Sequence, residues 1–190
     1  MTRSSAEPQL FDARGHRKYL QRAETRALLA AARVADRRTR LFCQLLYYTG
    51  CRISEALAVT PDRLDRAGGY VVFRTLKRRR AVFRAVPIPP RLCAGLATLA
   101  RGASCDQPLF PWCRQTAWRK IKALMAQARI TGPQATAKGL RHAFGVLGVQ
   151  CSIPESALAR LMGHASIKST QVYTFVTGDE ERALVQRMWN

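Results

Sequence analysis

The chain has 190 residues and a formal charge of +20 at pH 7, and 47% of its residues are hydrophobic. This length and apolar content suffice for one packed domain. A surface this basic repels itself unless a polyanion neutralises it, and nucleic acid is the commonest such partner. An anionic membrane surface is the rival, but no apolar run reaches the roughly 18 residues of a membrane span, and residues 1–8 do not resemble a signal peptide.

The six cysteines show no CxxC spacing, and the chain has only three histidines. A structural zinc site needs four ligands at close spacing, so we expect no metal and no other cofactor. Buried, reduced thiols of a cytoplasmic protein explain the cysteines better, and Cys43 and Cys151 lie within apolar helical patterns.

The order of predicted elements indicates a mainly α fold with a small antiparallel β-sheet. Residues 1–19 are polar and basic and are interpreted as a flexible arm. Nothing marks a domain boundary within 20–177. Helices are predicted over 20–35, 41–49, 53–59, 91–99, 115–128, 138–151, 154–162, 167–173 and 178–190, and strands over 70–74 and 81–88.

Two basic surfaces are candidates for nucleic-acid contact. The predicted hairpin between the strands carries Lys77, Arg78, Arg79 and Arg80 at its tip. The helix over 115–128 is expected to bury Trp118, Ile121, Met125 and Ala128, which leaves Arg119 and Lys122 on another face that can bind DNA. A similar stripe of arginines in the first helix is equally typical of a solvated helix face.

Three separated segments carry residues suited to phosphate chemistry. Residues 49–55 (Thr-Gly-Cys-Arg-Ile-Ser-Glu) supply Arg52, and a Gly-Leu-Arg-His segment supplies Arg141. A Gly-His pair ending at His164 is followed nine residues later by Tyr173. A tyrosine becomes a useful nucleophile where positive charge stabilises its phenolate, and the planar fork of arginine suits phosphate oxygens. This set is what metal-free breaking and rejoining of a DNA strand requires.

Local geometry supports part of this arrangement. Arg52 and Glu55 lie three apart on a helix, so the carboxylate can fix the arginine. Lys138 and Arg141 share a face in the same way, opposite much of an expected buried stripe of Leu140, Phe144, Leu147 and Cys151. Singly, each of these residues is also typical of surface, packing or capping positions, and only their joint occurrence favours a site.

Residues 20–176 resemble the catalytic domain of the tyrosine recombinases, the family of phage integrases and Xer-type recombinases. The matching segments are residues 49–57, the Lys77 hairpin, residues 139–144 and residues 161–173. The last reads Leu-Met-Gly-His-Ala-Ser-Ile-Lys-Ser-Thr-Gln-Val-Tyr, and its histidine-to-tyrosine spacing is that of the family. In size the chain is similar to the short recombinases that invert fimbrial promoters. The resemblance implies a site-specific recombinase that uses neither metal nor ATP.

The resemblance also implies a role for each residue. Arg52 and Arg141 would clamp the scissile phosphate, and His164 would contact it. Lys77 would act as the general acid for the departing 5′ oxygen, and Tyr173 would form a 3′-phosphotyrosyl bond. Glu55 would support the first arginine, and His142, next to the second, is expected to be structural.

The chain departs from the family pattern at Lys138, which occupies the position three residues before the second arginine where a histidine is usual. Lysine can hydrogen-bond a phosphate but is a poor base at pH 7 unless its pKa is lowered. We still expect Lys138 to take part in catalysis. The usual amino-terminal helical domain is expected to be replaced by the basic arm.

The resemblance implies double-stranded DNA as partner, with a dimer on each site, a tetramer in synapsis and, in some systems, an accessory DNA-bending protein. Residues 178–190 resemble the tail that such enzymes pack into a neighbouring subunit. The expected location is the nucleoid of a prokaryotic cytoplasm. Two alternatives stay open: a non-catalytic DNA-binding regulator with a recombinase fold, and a relaxing enzyme like the type IB topoisomerases.

Overall fold

The computed structural model describes residues 10–75, 82–164 and 166–174 and confirms a mainly helical fold with a small antiparallel sheet. Its helices are α1 (Arg22–Val34), α2 (Arg37–Thr49), α3 (Ile53–Leu57), α4 (Pro90–Leu99), α5 (Arg114–Gln127), α6 (Ala137–Gln150), α7 (Glu155–Met162) and α8 (Lys168–Gln171). Its strands are β1 (Leu64–Asp65), β2 (Tyr70–Thr75) and β3 (Val82–Pro87), and they pair in the order β1-β2-β3.

The sequence did not predict β1 or the short 3₁₀ turn Pro61–Arg63 before it. A strand of two residues is too short to show an alternating pattern, so periodicity could not reveal it. The last described pair of the β2–β3 ribbon is Thr75 with Val82. The basic hairpin tip with Lys77 lies outside the described residues, as does the predicted helix over 178–190.

Helix α2 ends as its sequence predicted and thereby sets the position of the next segment. The Asp36 side chain accepts a hydrogen bond from the Thr39 N–H at 2.9 Å at the amino end. At the other end Gly50 adopts a left-handed conformation, with φ of 57°. A Cβ at this position would lie 2.5 Å from the Phe144 ring, so only glycine allows α6 to approach here.

The main core lies among the helices and the inner face of the sheet. Phe42 is fully buried, and its ring lies 4.9 Å from that of Phe110 and 5.5 Å from that of Trp112, both edge to face. A second cluster joins Leu10, Val146, Leu158, Met162 and Tyr173. Among the described residues, no helix is long and apolar enough to cross a membrane.

Three expectations about buried residues are wrong. Trp118 is 48% exposed, because α5 turns the stripe of Ala117, Ile121, Leu124 and Met125 inward instead. Cys151 is exposed because α6 ends before it, whereas Cys43 is buried as expected. Phe144 and Leu147 are only partly buried, since α6 packs into the core through an adjacent face.

Residues 10–19 differ from the flexible arm that their composition predicted. Leu10 is 4% exposed, and its carbonyl accepts a hydrogen bond from the Lys18 N–H at 2.7 Å. The Arg17 guanidinium donates to both carboxylate oxygens of Glu24 in α1. The buried side chain of Leu10 and one bidentate ion pair therefore fasten this stretch to the domain.

Replacing Phe42 by alanine is expected to lower the free energy of unfolding by about 3–5 kcal/mol, because it removes the ring at the centre of the aromatic cluster and leaves a cavity. Urea denaturation monitored by circular dichroism measures this change. The control is Val34→Ala, at a position that is 87% exposed, which should change the value by less than about 0.5 kcal/mol. Equal losses in the two variants would contradict this view of the core.

Candidate active site

Arg52 is held at the start of α3 by the carboxylate of Glu55. One oxygen of Glu55 accepts the backbone N–H of Arg52 at 2.8 Å, and the other accepts its guanidinium Nη1 at 2.9 Å. The Glu55 side chain is fully buried, whereas that of Arg52 remains 26% exposed. The expected pairing is confirmed, and it leaves part of the guanidinium open to a ligand.

Arg141 is buried within α6 and ties together the ends of two other helices. Its Nη1 donates to the Gly50 carbonyl at 2.6 Å, and its Nη2 donates to the Met162 carbonyl at 2.8 Å. Burial lowers the pKa of Arg141 to about 10, and the nearby charge of Arg52 acts in the same direction. The group is still charged at pH 7, so two guanidiniums concentrate positive charge in one place.

His164 follows directly on the end of α7. Gly163 ends that helix in a left-handed conformation with φ of 65°, which turns the chain toward the two arginines. The Nδ1 atom of His164 lies 2.8 Å from Oγ1 of Thr170. Burial, followed by the charges of Arg141 and Arg52, lowers the pKa of His164 to about 3. The imidazole is therefore neutral at pH 7 and can act only as a neutral hydrogen-bonding group.

Tyr173 lies beside this cluster, but its hydroxyl is turned into the protein. The residue is 1% exposed, its oxygen lies 3.1 Å from Nδ1 of His142, and its ring stacks on His164 with centroids 6.3 Å apart. A Cβ at Gly145 would lie 2.5 Å from the ring, so this glycine makes the pocket possible. Burial raises the pKa of Tyr173 to about 12, against the opposing effect of Arg141 and Arg52.

His142 is the partner that holds the phenol. It is 4% exposed, and its Nε2 has no hydrogen-bond partner within the part of the chain described. Burial lowers its pKa to about 4, and the positive charges of Lys138, Arg141 and Lys18 add to the effect. A neutral imidazole therefore faces a neutral phenol, which is the pairing expected of two groups removed from water.

Arg84 is a buried charge that the sequence reasoning missed. It lies on β3 at 7% exposure and donates to both oxygens of Glu55, at 2.7 and 3.3 Å. A signal for it exists in the sequence, because the alternation of β3 places Arg84 on the same face as the buried Val86. A charged residue at a core-facing position of a strand needs a buried partner.

The remaining predicted residues lie farther from the cluster or outside the described chain. Lys138 is exposed in the first turn of α6, where its charge still acts on His142. Arg119 is exposed on α5, whereas the Lys122 ammonium donates to the Ala135 carbonyl at 3.1 Å. Four of the predicted site residues lie outside the described ranges: Lys77, Arg78, Arg79 and Arg80.

His142, which is buried, and His164, which is partly buried, predict acid-sensitive stability. Their folded-state pKa values of about 3 and about 4 lie below the ordinary value of 6.5, so the unfolded chain binds more protons as the pH falls through that value. The free energy of unfolding is therefore expected to decrease between about pH 6.5 and pH 5, above the range in which carboxylates titrate.

Urea denaturation across that pH range, on wild type and His142→Gln, measures this dependence. The slope with pH should be smaller in His142→Gln, whatever the absolute stability of that variant. An unchanged slope in His142→Gln would mean that His142 titrates normally in the folded protein.

Comparison with known proteins places the chain in a family. A model described as Phage integrase family matches residues 18–180. The tyrosine recombinase XerA of Pyrococcus furiosus is 30% identical over 180 residues, which cover 90% of this chain and 61% of the relative. The tyrosine recombinase XerD of Pseudomonas aeruginosa is 31% identical over 176 residues, which cover 84% and 57%. The chain thus spans about three fifths of the length of these relatives.

Solved structures share the fold. A crystal structure of XerA recombinase has a TM-score of 0.76 at 23% identity and covers 95% of this chain and 66% of that one. The catalytic domain of bacteriophage HP1 integrase has a TM-score of 0.67 at 22% identity, with 88% and 93% covered. The match of the family model over most of the sequence shows that the chain belongs to the phage integrase family.

Proposed function

We propose that the protein is a site-specific recombinase that cuts and rejoins DNA through a 3′-phosphotyrosyl intermediate. The observation that carries the proposal is the convergence of Arg52, Arg141 and His164 around Tyr173, from segments as much as 121 positions apart in the chain. Relatives named tyrosine recombinase support the same reading.

In the proposed reaction the phenolic oxygen of Tyr173 attacks phosphorus, and the bond from phosphorus to the 5′ oxygen breaks. The phenol loses one proton and the departing oxygen gains one, for which Lys77 is the proposed donor. Arg52 and Arg141 stabilise the charge that develops on the non-bridging oxygens, and His164 donates a neutral hydrogen bond to one of them. Attack by a new 5′ hydroxyl reverses the step, so the bond energy is conserved.

The position of Tyr173 defines a resting state in this proposal. Its hydroxyl is held by His142 inside a buried pocket, so the ring must leave that pocket before it reaches a phosphate at the arginines. The residue lies in the turn that follows α8, two positions after that helix ends. We propose that DNA and a neighbouring subunit favour the open position, because a bound phosphate gives the arginine charges a partner.

The proposed partners follow from the same mechanism. Duplex DNA would contact the basic hairpin tip and the exposed arginines of α5, with two subunits on each site and four in synapsis. Residues 178–190 would join neighbouring subunits, and an accessory DNA-bending protein would assist where the site requires it. The reaction would take place on DNA of a prokaryotic nucleoid.

A non-catalytic DNA-binding regulator is the second candidate. Two observations favour it: Tyr173 is withdrawn from solvent, and the exposed Lys138 stands where a histidine is usual in the family. The two functions differ in one chemical product, a covalent bond between the chain and DNA.

Tyr173→Phe is expected to abolish formation of a covalent protein–DNA adduct without weakening DNA binding more than about threefold, because only the nucleophilic oxygen is removed. Duplexes are first selected from a random-sequence pool by binding to the protein. The selected duplexes are then nicked near the cleavage position. Cleavage of a nicked duplex releases a short fragment, so the strand cannot be rejoined and the covalent adduct accumulates. Denaturing electrophoresis measures the adduct.

Wild-type protein should form the adduct, and mass spectrometry of the digested product should place the nucleotide on residue 173. A wild-type protein that binds the selected duplex tightly but gives no adduct would support the regulator instead. Relaxation of plasmids with no dependence on sequence would favour the topoisomerase-like alternative.

Lys138→His is expected to keep or raise the rate of adduct formation, because an imidazole at this position can exchange a proton near pH 7. Single-turnover cleavage of the selected nicked duplex measures the rate, and the matched control is Lys120→His, at a position on α5. Complete loss of cleavage in Lys138→His alone would show that this position does not correspond to the usual histidine.

A further inference from the structure

We propose that Arg84 is a positioning residue for strand cleavage, an inference that rests on the proposed function. It would keep Arg52 aligned by holding Glu55, and it would hold the parts of the chain that carry the general acid and the histidine in one arrangement. The role of Arg84 follows from its contacts alone.

The first contact fixes the carboxylate that orients Arg52. Arg84 Nη2 donates to one oxygen of Glu55 at 2.7 Å, and Nη1 donates to the other at 3.3 Å. The same two oxygens accept the backbone N–H and the guanidinium of Arg52. Because Arg84 occupies both oxygens from the other side, the carboxylate cannot rotate away from Arg52 without breaking a buried pair.

The other contacts reach two further parts of the site. Nη1 of Arg84 donates to Oγ1 of Thr75 at 3.1 Å, and Thr75 is two positions before Lys77. Nε of Arg84 donates to the carbonyl of Leu161 at 2.9 Å, three positions before His164. A single guanidinium therefore joins α3, the end of β2 and the end of α7.

The surroundings of Arg84 are shaped for a guanidinium and keep it from solvent. Its Cζ lies 5.1 Å from the centre of the Phe73 ring, and a Cβ at Gly163 would lie 2.7 Å from Nη1. The side chain is 5% exposed, and each of its three nitrogens already donates to the protein. Arg84 therefore acts through other residues and does not itself bind phosphate.

Arg84→Lys tests the proposal, because it keeps the charge but one ammonium cannot span acceptors on α3, β2 and α7. At saturating DNA, the single-turnover rate of adduct formation on the nicked duplex should fall at least about tenfold, while DNA affinity stays within about threefold. Arg74→Lys is the matched control, since Arg74 is exposed on the paired strand β2, and it should change neither quantity.

A double-mutant cycle separates positioning from simple loss of stability. If Arg84 acts through Glu55, then Glu55→Gln combined with Arg84→Lys should cleave no more slowly than the slower single variant. Additive losses, or a wild-type rate in Arg84→Lys, would overturn the proposal. If Arg84→Lys does not fold, Thr75→Val removes one acceptor of the same guanidinium and should lower the rate several-fold, and a wild-type rate there overturns it.

A measurement that does not depend on strand cleavage, the exchange of the Arg52 side-chain hydrogens, separates this proposal from the proposed function. In ¹⁵N-arginine-labelled protein, the side-chain N–H signals of Arg52 should exchange with water faster in Arg84→Lys than in wild type and Arg74→Lys. Unchanged exchange overturns the positioning role. Absence of any Tyr173 adduct in wild type overturns only the proposed function, and the exchange measurement then decides the role of Arg84.

Discussion

One buried carboxylate, that of Glu55, makes the rest of the site possible. The chain has 32 lysines and arginines against 12 aspartates and glutamates, yet Arg52 and Arg84 meet within a few ångströms, with Arg141 close by. Burial alone would raise the pKa of Glu55, but hydrogen bonds and charge from Arg84, with help from Arg52, hold that pKa below its ordinary value. The anion is therefore present at neutral pH, and removing one partner of such a buried pair costs about 3–5 kcal/mol.

The end of α7 shows how the same arginines serve folding as well as the site. The last carbonyls of a helix lack partners within the helix and carry its partial negative charge. Leu161 and Met162 place two consecutive carbonyls there, one bonded by Arg84 and the other by Arg141. His164 follows within three residues, so its position depends on two cations of the site. A change that weakens this helix end should therefore affect the geometry of the proposed site before it affects the main core.

The sequence predicted the local part of this arrangement and missed the part that depends on distant contacts. The pair Arg52–Glu55 follows from a spacing of three on a helix, and the end of α2 follows from one glycine. Arg84 bonds residues 29 and 77 positions away, and periodicity carries no information on such partners. The pairing of Tyr173 with His142 likewise joins α6 to the turn after α8, 31 positions away, and so it could not be predicted.

Errors in the helical phase have a similar cause. In α5, Ile121 and Met125 are buried as predicted, but the buried face extends to Ala117 and Leu124 and leaves Trp118 exposed. The core has room for a methyl group at position 117 and not for an indole, and only the tertiary packing reveals that. Leu10 in the basic arm was overlooked because two adjacent apolar residues, Leu10 and Phe11, give no periodic signal.

If the proposed function holds, the buried phenol would keep the site unreactive until DNA binds. With a pKa of about 12, only roughly one Tyr173 in 10⁵ is ionised at pH 7, whereas an exposed tyrosine with a pKa near 10 is ionised in roughly one molecule in 10³. Leaving the pocket alone therefore raises the phenolate fraction about a hundredfold. Arg141 and Arg52 already oppose the effect of burial in the closed position. In the proposed reaction their stabilisation of the phenolate would grow as the oxygen comes to lie beside them at the phosphate.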